Sequence, residues 1–196
     1  LRIIVFARAP VPGQAKRRLI PALGEEGAAR LYQALAKACL TSACEAAVGP
    51  VELWCTPGTD HPFFAACRSE FRVSLYQQQG ADLGERMAYA LSQELPALIM
   101  GSDCPSLAAA DLREAAVALS QGADAVLGPA HDGGYVLLGL SRIDASLFGG
   151  IAWGTDTVLQ ETRSRLWQLG WHWHELPLRF DIDRPDDLRW LRLSPG

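Results

Sequence analysis

Pro96-Ala97-Leu98-Ile99-Met100-Gly101-Ser102-Asp103-Cys104-Pro105-Ser106 is the stretch from which the fold can be worked out. Its apolar run has the length of a buried strand and stops abruptly at Gly101-Ser102-Asp103-Cys104-Pro105, with a helical pattern following from Ala108. In an open α/β sheet, ligands bind just past the carboxyl end of such a strand. Asp103, on a tight turn with Pro105 stopping the strand, is placed to hold a metal ion against a phosphate. Asp is also a common N-cap, and the turn alone gives that reading equal weight.

The 196 residues, 49% apolar and 20% charged, suit one domain with a sizeable core and an ordinary soluble protein. A net charge of −4 argues against a general nucleic-acid surface, which needs a basic face. No apolar run approaches the ~18 residues of a membrane span. Leu1-Arg2-Ile3-Ile4-Val5-Phe6 is too short for a signal peptide and reads as a strand; with no initiator Met, residues upstream are expected. Cys39, Cys44, Cys55, Cys67 and Cys104 are an odd set without a C-x-x-C pair, neither a disulfide framework nor a zinc knuckle. Buried free thiols in a reducing cytoplasm are expected. Cys104 lies beside the Asp103 turn, but no nearby His is evident to activate it as a nucleophile.

Upstream, Arg2 to Ala7 reads as a buried β-branched strand ending in Arg8-Ala9-Pro10-Val11-Pro12-Gly13-Gln14-Ala15-Lys16-Arg17-Arg18-Leu19. Two prolines and a glycine impose a stiff loop. A charge run is usually a solvated face, but this one follows the first strand directly, where Arg forks and a Lys point charge could hold a diphosphate. Neither G-x-x-x-x-G-K-[ST] nor G-x-G-x-x-G is present. Helical spacing of Ala28, Leu31, Leu35 and Ala38 predicts a helix over Glu25 to Ala47. Val51 to Cys55 is then a strand, Pro62 to Cys67 a short helix and Arg72 to Tyr76 a third strand. The polar loop Gln77 to Met87 runs into a helix ending near Glu94. Asp82 and Arg86 fit a helix-surface pair or, because the loop precedes the Asp103 strand, ligand contacts along with Gln79.

Downstream, Ala108 to Gln121 is expected to be a helix and Ala123 to Leu127 a strand, followed by Gly128-Pro129-Ala130-His131-Asp132-Gly133-Gly134-Tyr135 and the apolar run Val136 to Leu140. Asp132-Gly133-Gly134 suits a hairpin turn and equally a bare backbone shelf with His131 and Asp132 aimed at a substrate. The segment Ile151 to Thr157 carries Trp153 and Thr155, a natural N-cap for a helix over Thr157 to Leu169. Trp171 to Phe180 reads as a strand, with His172 and His174 on one half-exposed face; two His at i, i+2 could join a metal site, but no third ligand is evident nearby. In Phe180-Asp181-Ile182-Asp183-Arg184-Pro185-Asp186-Asp187-Leu188, capping of a terminal helix reaching about Leu193 explains Asp186 and Asp187. It does not explain Asp181 and Asp183, which project to one side at a strand end.

Strands alternating with helices imply a mostly parallel sheet, with the polar clusters compatible with one edge. The set Phe6-Ala7-Arg8-Ala9-Pro10-Val11-Pro12-Gly13 with Lys16-Arg17-Arg18-Leu19, then Asp82-Leu83-Gly84-Glu85-Arg86-Met87, Gly101-Ser102-Asp103-Cys104-Pro105, Asp132-Gly133-Gly134-Tyr135 and Asp181-Ile182-Asp183-Arg184-Pro185-Asp186-Asp187-Leu188 resembles a bacterial family of glycosyltransferase-like proteins, the radical-SAM/selenodomain-associated transferases. More distantly it resembles the sugar-phosphate, molybdenum-cofactor and phospholactate nucleotidyltransferases. Where the family's basic motif reads Lys-Thr-Arg-Leu, this chain has Arg17 in place of the Thr.

The resemblance implies a single-domain three-layer αβα sandwich over 1–196, with a mostly parallel mixed sheet of the nucleotide-diphospho-sugar transferase (GT-A) type. It implies a metal-dependent transferase taking a nucleotide sugar or an NTP and a small-molecule acceptor; the free thiols make a cytoplasmic location the expectation. Ala7, Arg8, Ala9, Pro10 and Gly13 would hold the nucleoside, and Lys16 and Arg18 the phosphates, with Gln79, Asp82, Arg86 and Ser102 nearby. Asp103, with Asp183 or Asp181, would bind Mg²⁺ or Mn²⁺, which uses one or two carboxylates plus phosphate and water. His131 and Asp132 would position or deprotonate the acceptor, and Gly133, Gly134, Tyr135, Trp153 and Thr155 would face the substrate. Glycosyl transfer comes first, nucleotidyl transfer with pyrophosphate release second, and a non-catalytic nucleotide-binding module third.

Overall fold

Ile3-Ile4-Val5 and Leu98-Ile99-Met100 are buried on both faces, as strands can be only when helices cover both sides of the sheet. In the computed structural model, which describes residues 1–192, these runs form β1 (Arg2–Arg8) and β4 (Ala97–Gly101) at the middle of a seven-stranded sheet. They pair in parallel, with Ile4 opposite Ile99 and Phe6 opposite Gly101. The other strands are β2 (Val51–Thr56), β3 (Ser74–Gln77), β5 (Ala125–Pro129), β6 (Tyr135–Leu140) and β7 (Trp173–Glu175), in the order β3-β2-β1-β4-β6-β5-β7. The pairings are parallel except those of β6, which runs antiparallel to both β4 and β5.

The helices are α1 (Ile20–Ala46), α2 (Pro62–Phe71), α3 (Leu83–Ser92), α4 (Ala109–Ser120) and α5 (Val158–Gln168). One sheet face, with Ile3, Val5, Leu53 and Leu98, packs on Leu40, Phe64 and Leu112 of α1, α2 and α4. The other, with Ile4, Trp54, Ile99 and Leu138, packs on Met87 and Leu91 of α3 and Leu159 and Leu166 of α5. This is the expected three-layer α/β sandwich with a mixed, mostly parallel sheet. Among the described residues no helix is long and apolar enough to cross a membrane.

Several local expectations change. Asp132-Gly133-Gly134 lies in the β5–β6 connection, an antiparallel hairpin. The expected strand from Trp171 to Phe180 shrinks to the three residues of β7; beyond it Leu176 and Arg179 still bond the backbone of Leu127 and Pro129 of β5, but Pro177, which has no N–H, interrupts the ladder between them. Thr155 does not cap α5; that helix starts three residues later, after Thr157, and the Thr155 hydroxyl donates to the Ala152 carbonyl. The helix over Glu25 to Ala47 is preceded by a turn from Ile20, broken at Gly24 by a φ of 70° that suits glycine. Beyond Asp183 a 3-10 helix covers Pro185–Arg192; an Asp187 carboxylate oxygen accepts the Asp183 and Arg184 N–H groups, the capping role expected there. Leu193 lies outside the described residues.

Candidate functional site

The chain passes from β1 outwards to β2 and β3 and then returns through α3 to β4 on the other side of β1, so a crevice opens beyond the carboxyl ends of β1 and β4, the usual ligand position in such sheets. Its floor is stitched by a residue that sequence reasoning missed. Tyr32 of α1 is buried, and its Oη accepts the Arg8 N–H at 2.8 Å and lies 2.7 Å from Ser102 Oγ. The end of β1 is thereby tied to the turn after β4.

Asp103 is not the cap of α4. That helix begins after Ala108, whose N–H is accepted by Asp111 Oδ2 at 2.8 Å. Asp103 instead accepts a hydrogen bond from Lys16 Nζ at 2.9 Å, and the same ammonium lies 3.5 Å from Asp183 Oδ1. Arg18 Nη1 donates to the other Asp183 oxygen at 2.5 Å. The Ile182 N–H donates to the Asp103 carbonyl at 3.0 Å, which brings the C-terminal segment to the β4 turn. Burial opposes the Lys16 charge, but Asp103, aided by Asp183 and Asp181, outweighs it and holds the ammonium's pKa above its ordinary value. Among the described residues Asp181 has no ion-pair partner, and burial, with the charges of Asp103 and Asp132, outweighs the Lys16 charge and pushes its carboxyl up to about 6.

Of these groups, Asp103 and Asp181 open onto a cleft of about 590 Å³ lined also by Ala7, Arg8, Asp82, Arg86, Ser102, Asp132, Gly134, Tyr135, Trp153 and Thr155. Beside it, Lys16, Arg17 and Arg18 line a smaller cavity with Asp103 and Asp183. A third, polar cavity shares Asp132, Gly154 and Asp181 with the cleft and is lined also by His131, Asp156 and Asp183.

Other residues fall elsewhere. Ala9, Pro10 and Gly13 line neither the cleft nor the basic cavity, since the loop folds back on α1, with Gly13 against the Glu25 carboxylate. Gln79 faces a separate cavity with Tyr76 and Tyr89; its neighbour Gln78 lines the cleft and donates to the Trp54 carbonyl. Asp82 is the N-cap of α3, accepting the Glu85 N–H, and Arg86 donates to the Gly80 carbonyl, so they are not an ion pair. His131 is exposed outside the main cleft. Gly133 is no open shelf: a Cβ there would lie 2.2 Å from the Asp156 carbonyl oxygen. Asp132 Oδ1 accepts the Gly134 N–H of the hairpin turn. Tyr135 contributes a ring to the cleft, and burial pushes its hydroxyl's pKa above the ordinary value. His174 bonds Glu114. All five cysteines are free, and Cys104 is buried, its thiol pushed up to about 11 chiefly by burial, which makes it a poor nucleophile.

No group of three His, Cys, Asp or Glu side chains among the described residues forms a metal cage. The Asp103–Asp183 pair nevertheless already shares one positive charge, and its oxygens are partly open, with 37% and 32% of the side chains exposed. Two hard oxygen donors lining the same small cavity fit Mg²⁺ or Mn²⁺, ions that complete their shell with water and phosphate.

The family described as an uncharacterized protein conserved in bacteria (DUF2064) matches residues 39–155. A crystal structure from Desulfovibrio desulfuricans G20, described provisionally as a nucleotide-diphospho-sugar transferase, is 31% identical, with a TM-score of 0.88 covering 97% of this chain and 85% of that one. The inositol-1-phosphate CTP transferase of T. maritima shares the fold at 15% identity, with a TM-score of 0.60 covering 95% and 90% of the two chains. So does a manganese complex of Rv0371c from Mycobacterium tuberculosis H37Rv, at 20% identity and a TM-score of 0.51 over 99% of each chain. A comparison with curated proteins found no match.

Proposed function

We propose that this chain, which belongs to the bacterial DUF2064 family, is a metal-dependent transferase that binds a nucleotide-diphospho-sugar and passes the glycosyl group to a small acceptor. A transferase role of nucleotidyl or glycosyl type is supported by the GT-A fold and the 31%-identical relative. The observation that carries the finer reading is the cluster of Lys16, Arg18, Asp103 and Asp183 beside a cleft of about 590 Å³. Cations and carboxylates so interleaved suit a phosphate chain and its counter-ion. The narrower affiliation with radical-SAM/selenodomain-associated transferases rests on sequence motifs alone, as does the treatment of 1–196 as one domain.

Ala7, Arg8 and Gln78 border the end of the cleft that would take the nucleoside. Lys16 and Arg18 would neutralise the phosphates. Asp103 and Asp183 would hold Mg²⁺ or Mn²⁺, an assignment in keeping with the manganese bound by the Rv0371c relative. Such an ion, when bound, would supply Lewis-acid stabilisation of the departing diphosphate. Asp132 and Asp181, on the boundary between the cleft and the third cavity, would orient an acceptor hydroxyl, and Asp132 keeps one carboxylate oxygen beyond its turn bond to take the proton. Trp153 and the Tyr135 ring would wall the sugar side.

One observation favours a second reading. Three consecutive cations, Lys16 to Arg18, line their own cavity, more charge than a diphosphate requires and enough for an NTP tail in nucleotidyl transfer. A thermal-shift screen of nucleotides and nucleotide sugars, with and without Mn²⁺, identifies the ligand by mass-action stabilisation. Release of nucleoside diphosphate against pyrophosphate then separates the two reactions. Asp103→Asn is expected to abolish metal-dependent turnover while the protein stays folded. Full activity in that variant, or nucleotide binding without turnover over a broad acceptor panel, overturns the proposal.

A further inference from the structure

The ammonium of Lys16 sits where the proposed metal would be. Its side chain is 5% exposed, it lies 2.9 Å from Asp103 and 3.5 Å from Asp183, and among the described residues it is the one cation paired with Asp103. Asp183 has a second partner in the largely exposed Arg18. The lysine reaches this position from a left-handed backbone, φ 47° and ψ 48°, a conformation unfavourable for a residue with a Cβ. The Leu19 N–H closes the turn onto the Lys16 carbonyl at 2.8 Å. An ammonium and a divalent ion cannot share the same two carboxylate oxygens, because at contact distance like charges repel strongly even in a well-screened site.

We propose that Lys16 is the resident cation of the Asp103–Asp183 pair, and that a divalent ion binds there by displacing its ammonium, which frees the lysine for substrate phosphate. The inference rests on the metal assignment above and adds a coupling to it. Without phosphate the displaced ammonium loses its partners, so the free protein binds metal weakly; with phosphate present the ammonium gains new ones, so metal and nucleotide favour each other. The lysine would then serve as counter-ion in the empty site and as phosphate ligand in the filled one.

The test is a titration of the nucleotide-free protein with Mn²⁺, counting free Mn²⁺ by electron paramagnetic resonance. Wild type is compared with Lys16→Met and Lys16→Gly; the glycine variant also relieves the left-handed backbone, so a folded protein lacking the ammonium is available. Both variants are expected to bind one Mn²⁺ at least about tenfold tighter than wild type, since a competing charge is gone. Their metal-free melting temperatures are expected to fall and to recover on adding Mn²⁺, and Asp103→Asn in the Lys16→Gly background is expected to remove the tight site. Equal or weaker Mn²⁺ binding in both variants, with binding by wild type, overturns the displacement and leaves the metal assignment standing. Absence of Mn²⁺ binding in all the proteins overturns both.

Discussion

Tyr32→Phe removes one oxygen atom and opens no cavity, so its effect isolates the stitch between β1 and β4. The hydroxyl makes two hydrogen bonds, to the Arg8 N–H at 2.8 Å and with Ser102 Oγ at 2.7 Å, and both Tyr32 and Ser102 are buried. A net contribution of roughly 1 kcal/mol for each bond gives a cost of about 2 kcal/mol. For a chain of this size that corresponds to a fall in melting temperature of about 4–8 °C. Urea unfolding followed by circular dichroism reads it directly, with the midpoint lowered and the slope unchanged. Ser102→Ala removes one of the two bonds, so the double variant is expected to cost about 1 kcal/mol less than the sum of the single ones. The same substitution frees the Arg8 backbone at the cleft wall, and nucleotide affinity is expected to fall with stability. A Tyr32→Phe protein within about 0.5 kcal/mol of wild type would refute the reasoning, because water would then be satisfying both partners as well as the phenol does.

Gly84→Ala places a Cβ 2.5 Å from Trp153 Nε1, so the indole must leave the cleft wall; a loss of about 1–3 kcal/mol with a shifted tryptophan emission is expected, and an unchanged spectrum would count against that packing. Asp111→Ala strips Arg179 of its bidentate carboxylate, whose hydrogen bonds hold the guanidinium's pKa above its ordinary value, and uncaps α4. Because Arg179 anchors the segment leading to Asp181 and Asp183, a loss of about 3 kcal/mol together with weaker Mn²⁺ binding is expected; a change in stability without a change in metal affinity would separate the two. Stability is expected to fall as pH rises above about 8.5. The unfolded chain releases its thiol protons there, whereas burial pushes Cys67 and Cys104 up to about 11 and Cys55 to about 12, so the folded state binds more protons and loses ground with rising pH. Urea midpoints at pH 7.5 and pH 10 test this, and equal midpoints would exclude it.

How far the sequence could be read depends on which physical signal each feature leaves. The strand before Asp103 was legible because burial on both faces needs a continuous apolar run, which no polar residue interrupts from Ala97 to Met100. The direction of β6 was not: an apolar strand inserted between β4 and β5 has the same composition whichever way it runs, and only the short connection through Asp132-Gly133-Gly134 hinted at a hairpin. Gln78 and Gln79 were exchanged for the same kind of reason. Neighbouring residues in extended chain point to opposite sides, and a third strand placed at Arg72 to Tyr76 rather than Ser74–Gln77 gives no sound basis for choosing between them. Tyr32 was hidden because one tyrosine among Ala and Leu on α1 reads as core; its role depends on Arg8 and Ser102, which only the assembled sheet brings to it.

The acidic residues show the limit more sharply. Asp82, Asp103, Asp111 and Asp187 all stand where a helix could begin, and composition cannot say which are caps. Three of them accept helix-start or adjoining backbone N–H groups, and Asp103 does not, because Asp111 already serves the start of α4. A carboxylate released from capping, and bonded instead to a buried lysine eight residues beyond the end of β1, has been placed there by tertiary structure. The sequence offered Lys16 as a phosphate ligand and Asp103 and Asp183 as metal ligands, three separate roles. Their mutual contact makes those roles depend on one another: whatever neutralises the two carboxylates decides where the lysine goes, which is the coupling that the Mn²⁺ titration of the Lys16 variants reads.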